Sequence, residues 1–178
     1  PSRDGKELIA RYKHNDELVQ ESDIEEPFTY MWDLEERLYV IDNTWDVEKY
    51  GEPKHSGLMA GKAALSAGEA YFGPHGKLWG FNFNSGHYQP EVPAISLLHR
   101  WMRDEGYNTT AVRWEGLSVE EETWSIESCK EYDWGRVDVP GYRTAELKRS
   151  CKEVMESPTF MLERDIAEAE EDGEDGHR

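Results

Sequence analysis

From Pro27 onward the apolar residues arrive in short bursts of strand length. Phe28-Thr29-Tyr30-Met31-Trp32 and Leu38-Tyr39-Val40-Ile41 are β-branched and aromatic runs, parted by the charged Asp33-Leu34-Glu35-Glu36-Arg37. That pattern predicts two strands. A third run over 67–72 ends in an aromatic pair, Gly73-Pro74-His75-Gly76-Lys77 turns, and Leu78-Trp79-Gly80-Phe81-Asn82-Phe83 returns, so the segment reads as a hairpin with a long connection. In the return strand Leu78, Gly80 and Asn82 alternate with Trp79, Phe81 and Phe83, which predicts three aromatics on one sheet face.

Elsewhere the spacing turns helical. Pro93 opens a helix to about Glu105, with Ile95, Leu97, Leu98, Trp101 and Met102 on its apolar face and Gly106 at its C-terminal cap. A strand over 111–114 follows. Leu147, Cys151, Val154 and Met155 mark a second helix over 142–155; Pro158 ends it, and a short helix is expected from Thr159 to about Ala169. Between the helices, Trp124, Ile126, Tyr132 and Trp134 read as edge-strand or loop aromatics. Leu8, Ile9, Tyr12, Leu18 and Val19 mark a helical stripe in the polar N-terminal stretch, interrupted by the weak formers His14 and Asn15. Residues 43–54, with Gly51 and Pro53, read as a loop.

These elements imply an α+β fold: a small central, mostly antiparallel sheet with flanking helices and an acidic disordered C-terminal tail. The division is 1–26 as a helical or extended segment, 27–169 as one domain with its motif core at 38–114, and 170–178 as the tail.

Composition narrows the partners. Against 20 Lys+Arg stand 38 Asp+Glu, a formal charge of −18, and no dense basic run is present. Phosphate backbones and anionic lipid surfaces are bound by cationic clusters, so nucleic-acid binding and membrane-surface binding are set aside. No window approaches a membrane span. Cys129 and Cys151 provide neither a metal-ligand spacing nor a disulfide framework and are expected as free thiols. The histidines match no HExxH or zinc-finger spacing, so no metal site is expected. Compartment stays open between cytoplasm and secretion.

The chemistry-bearing residues gather in one window: His55-Ser56-Gly57-Leu58-Met59-Ala60-Gly61, then Ala67-Gly68-Glu69, then Ser85-Gly86-His87-Tyr88-Gln89-Pro90. Hydroxyl, imidazole and carboxylate groups orient polar ligands and move protons. Ser56 is either a ligand donor or a helix N-cap. Glu69 is either a site carboxylate or the outward residue of a half-exposed strand, and Gly68 before it allows close approach of a ligand or another backbone. His87 suits a base or an oriented donor; Tyr88 suits ring stacking or a core cap.

This window resembles a domain of bacterial effector-like and fungal proteins whose pattern is HSSxLAG, AGE and SGHYxP, linked to effector ADP-ribosyltransferases that modify a threonine of ubiquitin. The resemblance spans residues 38 to about 114 and departs from the pattern at Gly57, where a second serine is usual. It implies NAD as the cofactor and mono-ADP-ribosylation of a protein acceptor, ubiquitin among the candidates. It further implies Glu69, His87 and Ser56 as catalytic residues, and His55, Ser56, Tyr88, Tyr39 and Ser85 as NAD-binding residues. The competing expectation is a non-catalytic module that holds a protein or sugar-like ligand in a polar groove lined by His55, Glu69, His87 and Tyr88.

Overall fold

The computed structural model describes residues 5–12, 15–23, 25–42, 46–51, 61–85, 88, 90–116, 118–119, 122–123, 126–137, 139 and 141–162. In chain order the strands are β1 (Phe28–Asp33), β2 (Leu38–Ile41), β3 (Ala64–Phe72), β4 (Leu78–Asn82), β5 (Arg113–Gly116), β6 (Ser118–Val119), β7 (Glu122–Thr123) and β8 (Phe160–Leu162). The helices are α1 (Val47–Tyr50), α2 (Val92–Asp104), α3 (Ile126–Glu131) and α4 (Thr144–Met155). Six strands form one sheet in the order β2-β1-β3-β4-β5-β8, and β6 with β7 makes a separate two-stranded ribbon. The β2-β1-β3-β4 half is antiparallel, whereas β4-β5 and β5-β8 are parallel. The α+β class with a mostly antiparallel sheet is what the residue pattern predicts.

One face of the sheet makes the core. Phe28, Tyr30, Trp32, Ala70, Phe72, Phe81 and Trp114 pack under Ile95, Leu98 and Met102 of α2 and Leu147, Cys151 and Val154 of α4. Helix α2 forms because Pro93 sits in its first turn, where the lost N–H has no helical partner, and its apolar residues recur on one side. Gly106 ends it with φ +81°, and its N–H bonds Arg103 O at 2.9 Å. His99 lies inside this layer, edge-on to Trp114 at 5.4 Å between centroids. Burial, with Arg103 beside it, lowers the imidazole pKa to about 4.

At the β1–β2 turn the fully buried Asp33 accepts the Glu35 N–H at 3.0 Å, the Arg37 N–H at 2.9 Å and Arg37 Nε at 2.8 Å. Desolvation alone would raise this carboxyl, but the Arg37 bonds and charge outweigh it and hold its pKa below the usual value.

Five expectations are corrected. The N-terminal stripe is not helical: Leu8 and Val19 enter the core from extended chain, tied to the hairpin by Leu78 N–H to Leu8 O at 3.0 Å and Ala10 N–H to Gly76 O at 2.8 Å. Backbone pairing outside the stripe overrides its weak helical propensity. Within the described part of 43–54 the chain forms the short α1, capped by the Asp46 carboxylate on Lys49 N–H. Ile126 starts the helix α3 (Ile126–Glu131) rather than an edge strand or loop, whereas Tyr132 and Trp134 do lie in non-helical connections, Trp134 in a 3₁₀ turn (Trp134–Arg136) with its indole N–H on Cys129 O at 2.9 Å, and Trp124 lies outside the described residues. Phe160–Leu162 is a strand rather than a helix start, because parallel pairing with β5 satisfies its backbone. Finally, Cys129 and Cys151 are joined rather than free, since packing of α3 on α4 brings their Cα atoms to 6.2 Å. The expected tail over 170–178 lies outside the described residues.

Candidate functional site

The face of the sheet turned away from α2 carries the polar residues, and strand register arranges them in rows. The central row runs Ile41, Thr29, Glu69, Asn82, Glu115 and Met161 across β2, β1, β3, β4, β5 and β8. Beside it lies a second row of Tyr71, Gly80 and Arg113. On the other side lies a row of Tyr39, Met31 and Ala67, against which Tyr88 packs. The buried polar pair Asn82 and Glu115 in mid-sheet is not required for folding, since apolar residues there would satisfy the same ladder.

Glu69 is held from one direction. Asn82 Oδ1 accepts the Glu69 N–H at 2.8 Å and the Asn84 N–H at 3.0 Å, which turns its amide NH₂ toward the carboxylate. Asn82 Nδ2 then donates to Glu69 Oε2 at 2.6 Å. One oxygen is thereby fixed while the side chain stays half-exposed. Asn82, only 9% exposed, makes one further and longer bond, from Nδ2 to the Tyr71 hydroxyl at 3.4 Å, so its amide orients Glu69 and ties it to the neighbouring row. Gly68 is required for this arrangement: a Cβ there would lie 2.2 Å from Asn82 O. Its closeness serves the neighbouring backbone, one of the two uses the sequence leaves open. The Tyr30 hydroxyl donates to the same Asn82 O at 3.1 Å from the core side.

The second row extends the site. Burial, then the charge of Glu115, pushes the Tyr71 hydroxyl up to about 12, so it stays a neutral donor. Arg113 Nε lies 2.8 Å from Glu115 Oε1, and Glu115 is only 8% exposed. Tyr71, Arg113 and Glu115 line a cavity of about 630 Å³, closed on another side by Glu21, Asp23 and Trp79. That volume suits a small-molecule ligand.

Trp79 corrects another expectation. Phe81 and Phe83 are buried in the core, but Trp79 is 47% exposed. The register shifts by one residue between Tyr71 and Phe72, so Leu78 takes the core position and Trp79 becomes the extra residue of a bulge. Alternation alone does not reveal a bulge.

Of the residues singled out from sequence, the structure brings Glu69, Tyr39 and Tyr88 onto one sheet face. The Tyr88 hydroxyl donates to Lys62 O at 2.8 Å, which seats its ring over Met31 and Ala67. Ser85 is buried in the connection three residues past β4, where its Oγ accepts the Tyr88 N–H at 3.3 Å, a turn-closing bond. His55, Ser56 and His87 lie outside the described residues. Asn82, Tyr71, Arg113 and Glu115 are not singled out as site residues by the sequence pattern. Asn82 was the readable signal: a lone amide inside an otherwise aromatic and glycine-bearing strand.

Among the described residues, no group of three or more His, Cys, Asp or Glu side chains could hold a metal ion, and no helix is long and apolar enough to cross a membrane. Comparison with family models, with curated proteins and with solved structures finds no match for the chain.

Proposed function

We propose that this protein is a mono-ADP-ribosyltransferase acting on a protein acceptor, with Glu69 as its central carboxylate. The observation that supports the reading is the fixation of Glu69 by Asn82 on a half-exposed sheet face that also carries Tyr39 and Tyr88. The donor set suits the sugar end of NAD: a carboxylate with one oxygen anchored has the other available to a ribose hydroxyl. NAD, when bound, supplies the ADP-ribosyl group and nicotinamide as the leaving group. Glu69 stabilises positive charge developing at the anomeric carbon, and its fixed orientation means that no reorganisation is needed as that charge appears. The neutral Tyr71 hydroxyl donates rather than competes for protons. The test is nicotinamide release from NAD by the whole chain, with Glu69→Gln as the comparison. Release is expected from the wild type and a loss of at least about a hundredfold from the variant; equal release from both removes Glu69 from the reaction.

One observation favours the second reading, a non-catalytic module for a hydroxyl-rich, sugar-like ligand. The cavity beside Tyr71 is walled by the carboxylates of Glu21, Asp23 and Glu115, and Arg113, the one cation among its described lining residues, faces Glu115. Such a wall disfavours a pyrophosphate there and accepts hydroxyl donors. Saturable sugar binding that Tyr71→Phe weakens, with no nicotinamide release, would select this reading.

A further inference from the structure

We propose that the cavity between Trp79, Tyr71 and the Glu21–Asp23 stretch is a binding site for an organic cation, a guanidinium or alkylammonium group stacked on Trp79. The inference goes beyond the reading of Glu69 and does not depend on any transfer reaction.

Three independent features of the cavity converge on that ligand class. The first is how its wall is built. Ser22 pins the N-terminal stretch to the end of β3: its N–H donates to Phe72 O at 2.9 Å and its Oγ accepts the Phe72 N–H at 2.8 Å. The pinned Ser22 and its two neighbours, Glu21 and Asp23, all line the cavity. These carboxylates are therefore held at the wall by backbone bonds rather than carried on a loose surface segment.

The second feature is the aromatic surface. The β4 bulge puts Trp79 on this side of the hairpin with 47% of its surface exposed, an unusual position for the largest side chain. The ring is seated tightly on the β3–β4 turn, where a Cβ on Gly73 would lie 2.1 Å from its indole. A fixed tryptophan face is the best aromatic partner for a cation, and Tyr71 supplies a second ring in the same cavity.

The third is charge balance. Glu21, Asp23 and Glu115 give the lining three carboxylates, and Arg113 offsets one of them at 2.8 Å from Glu115. The site is net anionic, and the overall charge of −18 steers cations toward it. A volume of about 630 Å³ accommodates a cationic head with the chain that bears it.

The test titrates the full chain with agmatine, with uncharged N-butylurea as the urea analogue, and with the tripeptide Gly-Arg-Gly, following the Trp79 indole N–H by NMR and binding by calorimetry. Agmatine or the tripeptide should shift the Trp79 resonance saturably. Trp79→Ala, or Glu21→Gln with Asp23→Asn, should weaken binding by about tenfold or more, and added salt should weaken it too. These side chains are surface-exposed or rim-lining, so the variants retain the fold, which their NMR spectra verify. Tighter binding of the tripeptide identifies a protein-borne cation, and tighter binding of agmatine a free amine; either supports the site. Equal binding of the urea analogue, binding indifferent to the substitutions, or no saturable shift up to roughly 10 mM ligand overturns the proposal. Nicotinamide release is a separate readout, so failure here leaves the Glu69 reading intact, and the converse holds.

Discussion

His99 makes the stability of this fold depend on pH between about 6.5 and 4. The imidazole is 7% exposed, packs edge-on to Trp114, has no hydrogen-bond partner at Nδ1, and has a pKa lowered to about 4 by burial and Arg103. An unfolded histidine titrates near 6.5. Above that value the group is neutral in both states and contributes no pH dependence. Between about 6.5 and 4 the unfolded chain binds the proton and the folded chain does not, so stability falls as pH falls. The full difference corresponds to roughly 3 kcal/mol, of which roughly 2 kcal/mol is lost between pH 7 and 5. Urea unfolding reads this directly, as a midpoint lowered by about 1 M at a typical slope. His99→Leu, close in volume and without an ionisable group, should unfold with a nearly flat midpoint over the same range. Parallel pH dependence in the two proteins, or a His99 NMR titration near 6.5, would refute the reasoning.

Three further outcomes follow from the site. Gly68→Ala should cost about 2–4 kcal/mol in urea unfolding, because its Cβ would lie 2.2 Å from Asn82 O and one of the two strands must move; an unchanged midpoint would mean that β3 and β4 separate freely. Asn82→Asp should cost about 2–3 kcal/mol in urea unfolding at neutral pH, since it removes a donor and sets a like charge where Nδ2 stood 2.6 Å from Glu69 Oε2; an unchanged midpoint would show that the two side chains do not meet. Reduction of Cys129–Cys151, which closes 22 residues of chain, should lower stability by roughly 3 kcal/mol on the chain-entropy account, read as a urea midpoint with and without reductant; a coincident pair of curves would show that no bond links the helices.

How much of this was readable in the residues divides by the range of the interaction. Strands β1 and β2 and helix α2 follow from local runs and from Pro93 and Gly106, whose consequences stay within a turn or two. The bulge at Trp79 depends on how β4 registers against β3, and the strand Phe160–Leu162 depends on a partner more than 40 residues away in β5. Neither leaves a local mark. The same limit explains the site. Glu69 was legible because a charge after glycine in a strand is conspicuous, whereas Glu115 looks ordinary until register sets it in one row with Asn82. The Cys129–Cys151 pairing likewise required the packing of α3 on α4, which the spacing of two cysteines does not encode.

The central claim is that Glu69 is the reacting carboxylate of an NAD-using face. Calorimetric titration of NAD into the wild type and Glu69→Gln, with nicotinamide release followed on the same samples, tests it most directly. The account predicts that both proteins bind NAD within about tenfold of each other, while release falls by at least about a hundredfold in the variant. A wild-type chain that neither binds NAD nor releases nicotinamide would contradict it.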